Sequence, residues 1–114
     1  MKFSAMLVVF LGFLFMPLIP AVAEPIPENG ILREHYDNGQ LKLENVYKKG
    51  IVVRKRTFYE NGQLLSEYRY KEGKLYLFRT YYENGNLKSL WTKKSGKTRF
   101  YYPNGNLRAV QEDR

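Results

Sequence analysis

The sequence predicts an all-β protein: an antiparallel meander of β-hairpin repeats, about eight strands in a single twisted or curled sheet. Three observations point there. The pattern Tyr-x-Asn-Gly-x-Leu occurs four times, as Tyr36-Asp37-Asn38-Gly39-Gln40-Leu41, Tyr59-Glu60-Asn61-Gly62-Gln63-Leu64, Tyr82-Glu83-Asn84-Gly85-Asn86-Leu87 and Tyr102-Pro103-Asn104-Gly105-Asn106-Leu107. The glycines keep a ruler: Gly39, Gly62 and Gly85 lie 23 residues apart, and so do Gly50, Gly73 and Gly96. Between them lie runs rich in Tyr, Leu, Val, Thr and Phe, the composition of strands, with no helical periodicity after residue 23.

In chain order, residues 1–23 read as a cleavable signal peptide outside the fold. Lys2 is the positive start, Phe3 to Phe15 is almost wholly apolar, and Ala21-Val22-Ala23 is the small-x-small pattern a signal peptidase accepts. The apolar run is short for a membrane span, which needs about 20 residues. No cysteine follows Ala23, so nothing marks a lipid anchor. A secreted or periplasmic protein is expected. Residues 24–30, with Pro25 and Pro27, read as a linker, and residues 31–114 as the repeat domain. Without cysteine, packing and hairpin chemistry must hold that domain together.

Strands are predicted near Ile31–Tyr36, Gln40–Tyr47, Ile51–Tyr59, Gln63–Tyr70, Lys74–Tyr82, Asn86–Lys93, Lys97–Tyr102 and Asn106–Gln111. Tight turns join them, so neighbours run antiparallel. Asn-Gly suits a two-residue type I′ turn, whose central residues both need positive φ. Lys48-Lys49-Gly50 and Lys71-Glu72-Gly73 suit three-residue turns with the glycine in a bulge. With Asn61-Gly62 as the loop, Tyr59 faces Leu64, Thr57 faces Ser66 and Arg56 faces Glu67. The other copies give Tyr36/Leu41, Tyr82/Leu87, Phe78/Trp91, Tyr102/Leu107 and Phe100/Ala109 on the same apolar face, and Arg33/Glu44 on the other. A shift by one residue would set arginines among leucines, a costly burial of charge. Pro103 fits this register poorly, since it prefers the second position of a type I turn.

The motif resembles the bacterial variant of the MORN repeat. Tyr81-Tyr82-Glu83-Asn84-Gly85-Asn86-Leu87-Lys88-Ser89 and Tyr70-Lys71-Glu72-Gly73-Lys74-Leu75 carry the resemblance. The further Gly, often with Trp, that the family places after the Lys-Leu pair is missing from Val52-Val53-Arg54 and Leu75-Tyr76-Leu77. The resemblance implies an elongated hairpin ladder acting as an interaction or membrane-associating module. Bacterial members are often named as toxin–antitoxin antitoxins, which implies a protein partner.

The formal charge of +8, one unit of which is Lys2, favours anionic surroundings. Arg33, Arg56, Arg79 and Arg99 each stand three residues before the repeated Tyr, in one column. His35, Phe58, Tyr81 and Tyr101 alternate with them, and Lys42, Lys88 and Arg108 are expected across from three of these. This face is the candidate site for an anionic lipid, a polysaccharide or an acidic protein. The blander reading is a solvated face that keeps the sheet soluble. The opposite face reads as core, although with no helix to cover it the sheet must curl, form a homo-oligomer or receive a partner. Tyr68, Tyr76, Phe78 and Trp91 could line an apolar groove there. Stacking and charge also allow nucleic acid, and export speaks against it. For catalysis the sequence offers little: one histidine, His35, no nucleophile context, no phosphate loop and no metal-ligand spacing. A non-enzymatic protein without cofactor or metal is expected.

Overall fold

The computed structural model describes residues 27–113; the expected signal peptide and residues 24–26 of the linker lie outside them. Eight strands form one sheet in sequence order: β1 (Gly30–His35), β2 (Leu41–Lys48), β3 (Ile51–Phe58), β4 (Leu64–Lys71), β5 (Lys74–Tyr81), β6 (Leu87–Thr92), β7 (Lys97–Tyr101) and β8 (Leu107–Glu112). Every neighbouring pair is antiparallel. The sheet does not close, so β1 and β8 are its edges. The all-β meander expected from the repeats is the observed fold.

The pairings in the strand bodies also follow the expected register: Thr57 opposes Ser66, Arg56 opposes Glu67, Phe78 opposes Trp91 and Phe100 opposes Ala109. The turns do not. The two turn classes are exchanged. Lys49 and Gly50 have φ of 52° and 74°, and Glu72 and Gly73 repeat those values, so the two-residue turns with positive φ at both centres are the Lys-Gly and Glu-Gly ones. At the Tyr-x-Asn-Gly motif only the glycine has positive φ. There Gly62 N–H donates to Tyr59 O at 2.9 Å and Tyr59 N–H to Gln63 O at 2.8 Å. This is a type I turn closed by a glycine bulge. Its second position is Asp37, Glu60, Glu83 or Pro103, so Pro103 fits without a lost ladder bond and the last hairpin matches the others.

Side-chain chemistry explains why Asn-Gly takes this form here. Asn61 Oδ1 accepts from Gln63 N–H at 3.0 Å, and the same contact recurs at Asn38, Asn84 and Asn104. The tyrosine then ties the turn to the next repeat. Tyr36, Tyr59 and Tyr82 donate their hydroxyls to the carbonyls of Phe58, Tyr81 and Tyr101, each at 2.7 Å. Burial, followed by the charge of Glu83, pushes the Tyr59 phenol above its ordinary value of 10.0, so it stays a donor. Tyr59→Phe is expected to cost about 1 kcal/mol in urea unfolding, the worth of one such bond. At the other end of the strands, Lys49→Asn and Glu72→Asn should each raise stability by about 0.5–1 kcal/mol. Asparagine tolerates positive φ where lysine and glutamate are strained, and thermal melts of the two single variants check it.

The new turn type inserts a bulge in each hairpin. His35, Phe58, Tyr81 and Tyr101 now oppose Leu41, Leu64, Leu87 and Leu107, and the residue after each leucine is left over. The expected pairing of the motif's own Tyr with its Leu is therefore corrected. Beyond the bulge the leucines lie on the arginine face, and the opposite face is not a core. Among the described residues no hydrophobic side chain is buried. The most buried residues are Glu44, Ser66, Glu67 and Ser89. A single layer has no second layer to bury apolar groups against. Only short or tightly paired polar groups in the middle of central strands are closed over by their neighbours. The serines are satisfied by a hydroxyl ladder, Thr57 with Ser66 and Thr80 with Ser89 at 2.6 Å.

Candidate interaction surfaces

Following the pairs across the sheet joins the arginine column into one row: Arg33, Glu44, Arg56, Glu67, Arg79, Leu90, Arg99, Val110. Charges alternate through the first five positions. Glu44 accepts from Arg33 Nε at 3.0 Å and from Arg56, with Arg54 at 3.6 Å. Glu67 accepts from Arg79 at 2.6 Å and Arg69 at 3.1 Å. Both carboxylates are nearly inaccessible, while the arginines are about a third to a half exposed. Burial alone would push the Glu44 carboxyl up; hydrogen bonds and charge from Arg56 and Arg33 outweigh it and hold the group below its ordinary 4.5. Glu67 is held down in the same way, burial being outweighed by Arg79 and Arg69.

This geometry changes what the four arginines can do. Arg33, Arg56 and Arg79 each donate to a glutamate of this chain. Arg99 stands between Leu90 and Val110 instead and has no ion pair among the described residues. Lys42, Lys88 and Arg108 are the bulged residues, so they do not sit across from His35, Tyr81 and Tyr101 as expected. Lys42 and Lys88 lie over the rings of Tyr36 and Tyr82 at 5.6 and 5.5 Å. Arg108 lies over Phe100, on the face away from Arg99, at 5.6 Å. Tyr81 and Tyr101 do share the arginine face, each opposite a leucine.

A second cationic feature lies at the turns, where the sequence allows a membrane-facing surface as well as plain turn chemistry. The Lys-Gly turns gather Lys48, Lys49, Lys71, Lys74, Lys93 and Lys94 along one end of the strands, all exposed. None is in an ion pair among the described residues; the one paired lysine of that end, Lys97, meets Glu112 at 2.9 Å. The opposite turns carry Asp37, Glu60 and Glu83, so the sheet has a basic end and an acidic end. The 23-residue spacing carries the signal, because Lys48 and Lys71 each stand two residues before a glycine, Gly50 and Gly73.

The proposed apolar groove divides in two. Tyr68, Phe78 and Trp91 lie side by side in one row, continued by Lys55 and Thr98. The Tyr68 and Phe78 rings stack at 4.5 Å, and Trp91 Nε1–H donates to Asp113 at 2.6 Å. Tyr76 does not join them. A bulge between Arg69 and Tyr70 leaves it unpaired, and it lines a shallow hollow with Lys71, Leu77, Thr92, Lys93 and Lys94. Leu77 and Thr92 belong to the arginine face.

Among the described residues no three His, Cys, Asp or Glu side chains gather as a metal would need. The two depressed carboxylates face arginines only, with no second acid or base beside them.

No curated protein matches the chain. Among solved structures, it is similar to a chain in the crystal structure of a GtfA/B complex bound to UDP and GlcNAc, at 16% identity. That likeness covers 82% of this chain and 25% of the other, with a TM-score of 0.33, too distant to carry an argument. The MORN repeat variant family matches four times, at residues 28–49, 54–72, 77–92 and 94–112. Each match spans one hairpin, and together they span more than half of the sequence. The chain belongs to the MORN repeat variant family, generally a non-catalytic repeat module.

Proposed function

We propose that the chain is a non-catalytic module that binds another protein, in a scaffold or antitoxin-like role, after export and cleavage behind Ala23. The observation that carries the reading is the row Tyr68–Phe78–Trp91, aromatic, half-buried and without a covering layer among the described residues. Adjacent aromatics flanked by polar groups such as Lys55, Thr98 and Asp113 are the makeup of interface anchors. Affinity capture with the purified protein should recover one stoichiometric protein. Trp91→Ala should weaken that complex at least tenfold, the behaviour of an interface anchor. Equal recovery by wild type and Trp91→Ala would overturn the reading. For export, N-terminal sequencing of the recovered protein should begin at Glu24; an intact Met1 counts against it.

A second reading keeps the anionic surface but moves it. Three of the four column arginines already hold glutamates, whereas the six lysines at the turn end have no ion pair among the described residues. Successive lysine turns are two strands apart, roughly 10 Å, a spacing suited to lipid headgroups or charged polysaccharide. Under this reading Lys71, Lys93 and Lys94→Glu together abolish binding to anionic vesicles, Arg99→Ser leaves it, and binding falls steeply with salt. Salt-independent binding would sink it.

A further inference from the structure

The repeat-to-repeat junctions are built alike, and one of them is empty. At β2·β3, β4·β5 and β6·β7 the even strand receives the odd strand of the next repeat. The motif tyrosine seals each junction by donating its hydroxyl across it, from Tyr36 to Phe58 O, Tyr59 to Tyr81 O and Tyr82 to Tyr101 O. The motif asparagine adds a second seal, from Asn38 Nδ2 to Glu60 O and from Asn84 Nδ2 to Pro103 O, each at 3.0 Å. β8 stands in the position of an even strand, and its outer backbone edge pairs with no described residue. Every residue along it is exposed, Leu107 by 55% and Val110 by 48%. Tyr102 is 49% exposed, where Tyr36, Tyr59 and Tyr82 are half-buried, and its hydroxyl has no partner among the described residues.

The mirror vacancy is at β1, an odd strand with no predecessor. The segment leading into it runs against the β2–β3 turn, where Gly50 N–H donates to Glu28 O and Lys49 N–H to Asn29 Oδ1. The outer backbone edge of β1 pairs with no described residue.

We propose that β8 seats β1 of a second copy, joining chains head to tail by one more repeat junction. The register follows from the three junctions on hand. Leu43 opposes Thr57, Ser66 opposes Thr80 and Ser89 opposes Phe100, so Ala109 opposes Glu34 of the second copy. By the same step Val110 opposes Arg33, Gln111 opposes Leu32 and Glu112 opposes Ile31. Tyr102 then donates to the His35 carbonyl and Asn104 to that of Asp37. Charges agree with this register. Arg33 of the second copy comes one diagonal step from Glu112, a separation that long side chains bridge. Arg108, bulged toward the other face, comes beside Glu34. The interface is heterologous, so it extends into filaments rather than closing as a twofold dimer. It uses strand edges and backbone groups, not the aromatic row assigned above, so the two readings stand or fall separately.

The test is sedimentation of the purified protein from micromolar to near-millimolar concentration, with two edge variants. Val110→Lys sets a cation against Arg33 of the incoming copy; Ile31→Glu sets a carboxylate against Glu112. Both positions are about half exposed, and unchanged circular dichroism confirms the fold. Wild type should show a ladder of multiples growing with concentration. Each variant alone should stay monomeric. Their equimolar mixture should give one dimer and nothing larger, since each variant keeps the edge the other has lost. Tyr102→Phe, which cannot disturb the fold of the free chain, should weaken association about fivefold, the worth of one hydrogen bond. A wild-type monomer throughout overturns the proposal. So does an Ile31→Glu variant that still dimerises, which would mean β8 pairing with itself, or association lost only in Trp91→Ala, which would mean the faces meet.

Discussion

Glu67→Ala is expected to cost about 3 kcal/mol, more than truncating any exposed charge of this protein. The carboxylate is 5% exposed and accepts hydrogen bonds from Arg79 and Arg69. Removing it leaves two neighbouring guanidinium groups, with Arg56 next in the row, facing each other without a counter-ion. Breaking a buried pair from one side costs about 3–5 kcal/mol. The low end applies because Arg69 and Arg79 are 40% and 31% exposed, so water screens part of the repulsion. Glu67→Gln should fall between, keeping an acceptor but not the charge. Urea unfolding at pH 7 measures all three proteins. The same carboxylates set the acid limit. Glu44 and Glu67 both titrate below their ordinary 4.5 in the folded chain, so their stabilisation is complete above that value and is lost as pH falls through the lowered range. The melting temperature should be level from about pH 6 to 8 and drop below about pH 4.5, and Glu67→Gln should flatten that drop.

Gly62→Ala is expected to cost about 2 kcal/mol, and clearly more than Gly105→Ala. Both glycines sit at positive φ, 91° and 93°, where an L side chain carries about 1–2 kcal/mol of strain. They differ in what a new Cβ meets. At Gly62 it would come within 3.1 Å of the Gln40 side-chain oxygen, which lies across from the preceding repeat; at Gly105 it meets nothing within 4 Å. Gln40 must move, and the stacking of successive turns goes with it. Parallel denaturant melts of the two variants give the difference. Equal losses would mean that the turns do not communicate across repeats.

The pairings of Arg56 with Glu67 and Phe78 with Trp91 were legible from residues alone, because strand alternation and repeat spacing set opposite charges and aromatic rings across from each other. The turn at Asn61-Gly62 was not. Its local preference is for a type I′ turn, and two interactions outvote it: the Asn61 carbonyl on Gln63 N–H, and the Tyr59 hydroxyl on a strand 22 residues later. Pro103 was the one residue that announced this, since a proline at that position has its place in a type I turn. The Asn-Gly turn type carried the largest error in the candidate site. It moved the leucines onto the arginine face and took Lys42, Lys88 and Arg108 away from it. A comparable bulge at the Lys-Gly end separated Tyr76 from Tyr68, Phe78 and Trp91.

By itself, then, the sequence determined the number of strands, their order, their antiparallel sense and the register of their middles. Repeat spacing and alternation are local quantities, and both are written in the order of residues. Only the tertiary structure decided where the bulges fall, which face each motif leucine and lysine reaches, and that three arginines are already held. Those outcomes depend on contacts with the next repeat and on carboxylates sunk between strands, Glu44 lying 11 and 12 residues from the arginines that neutralise it. Burial and ion pairing are properties of that assembled sheet, and they left Arg99, the lysine end and the bare β8 edge as the surfaces still open.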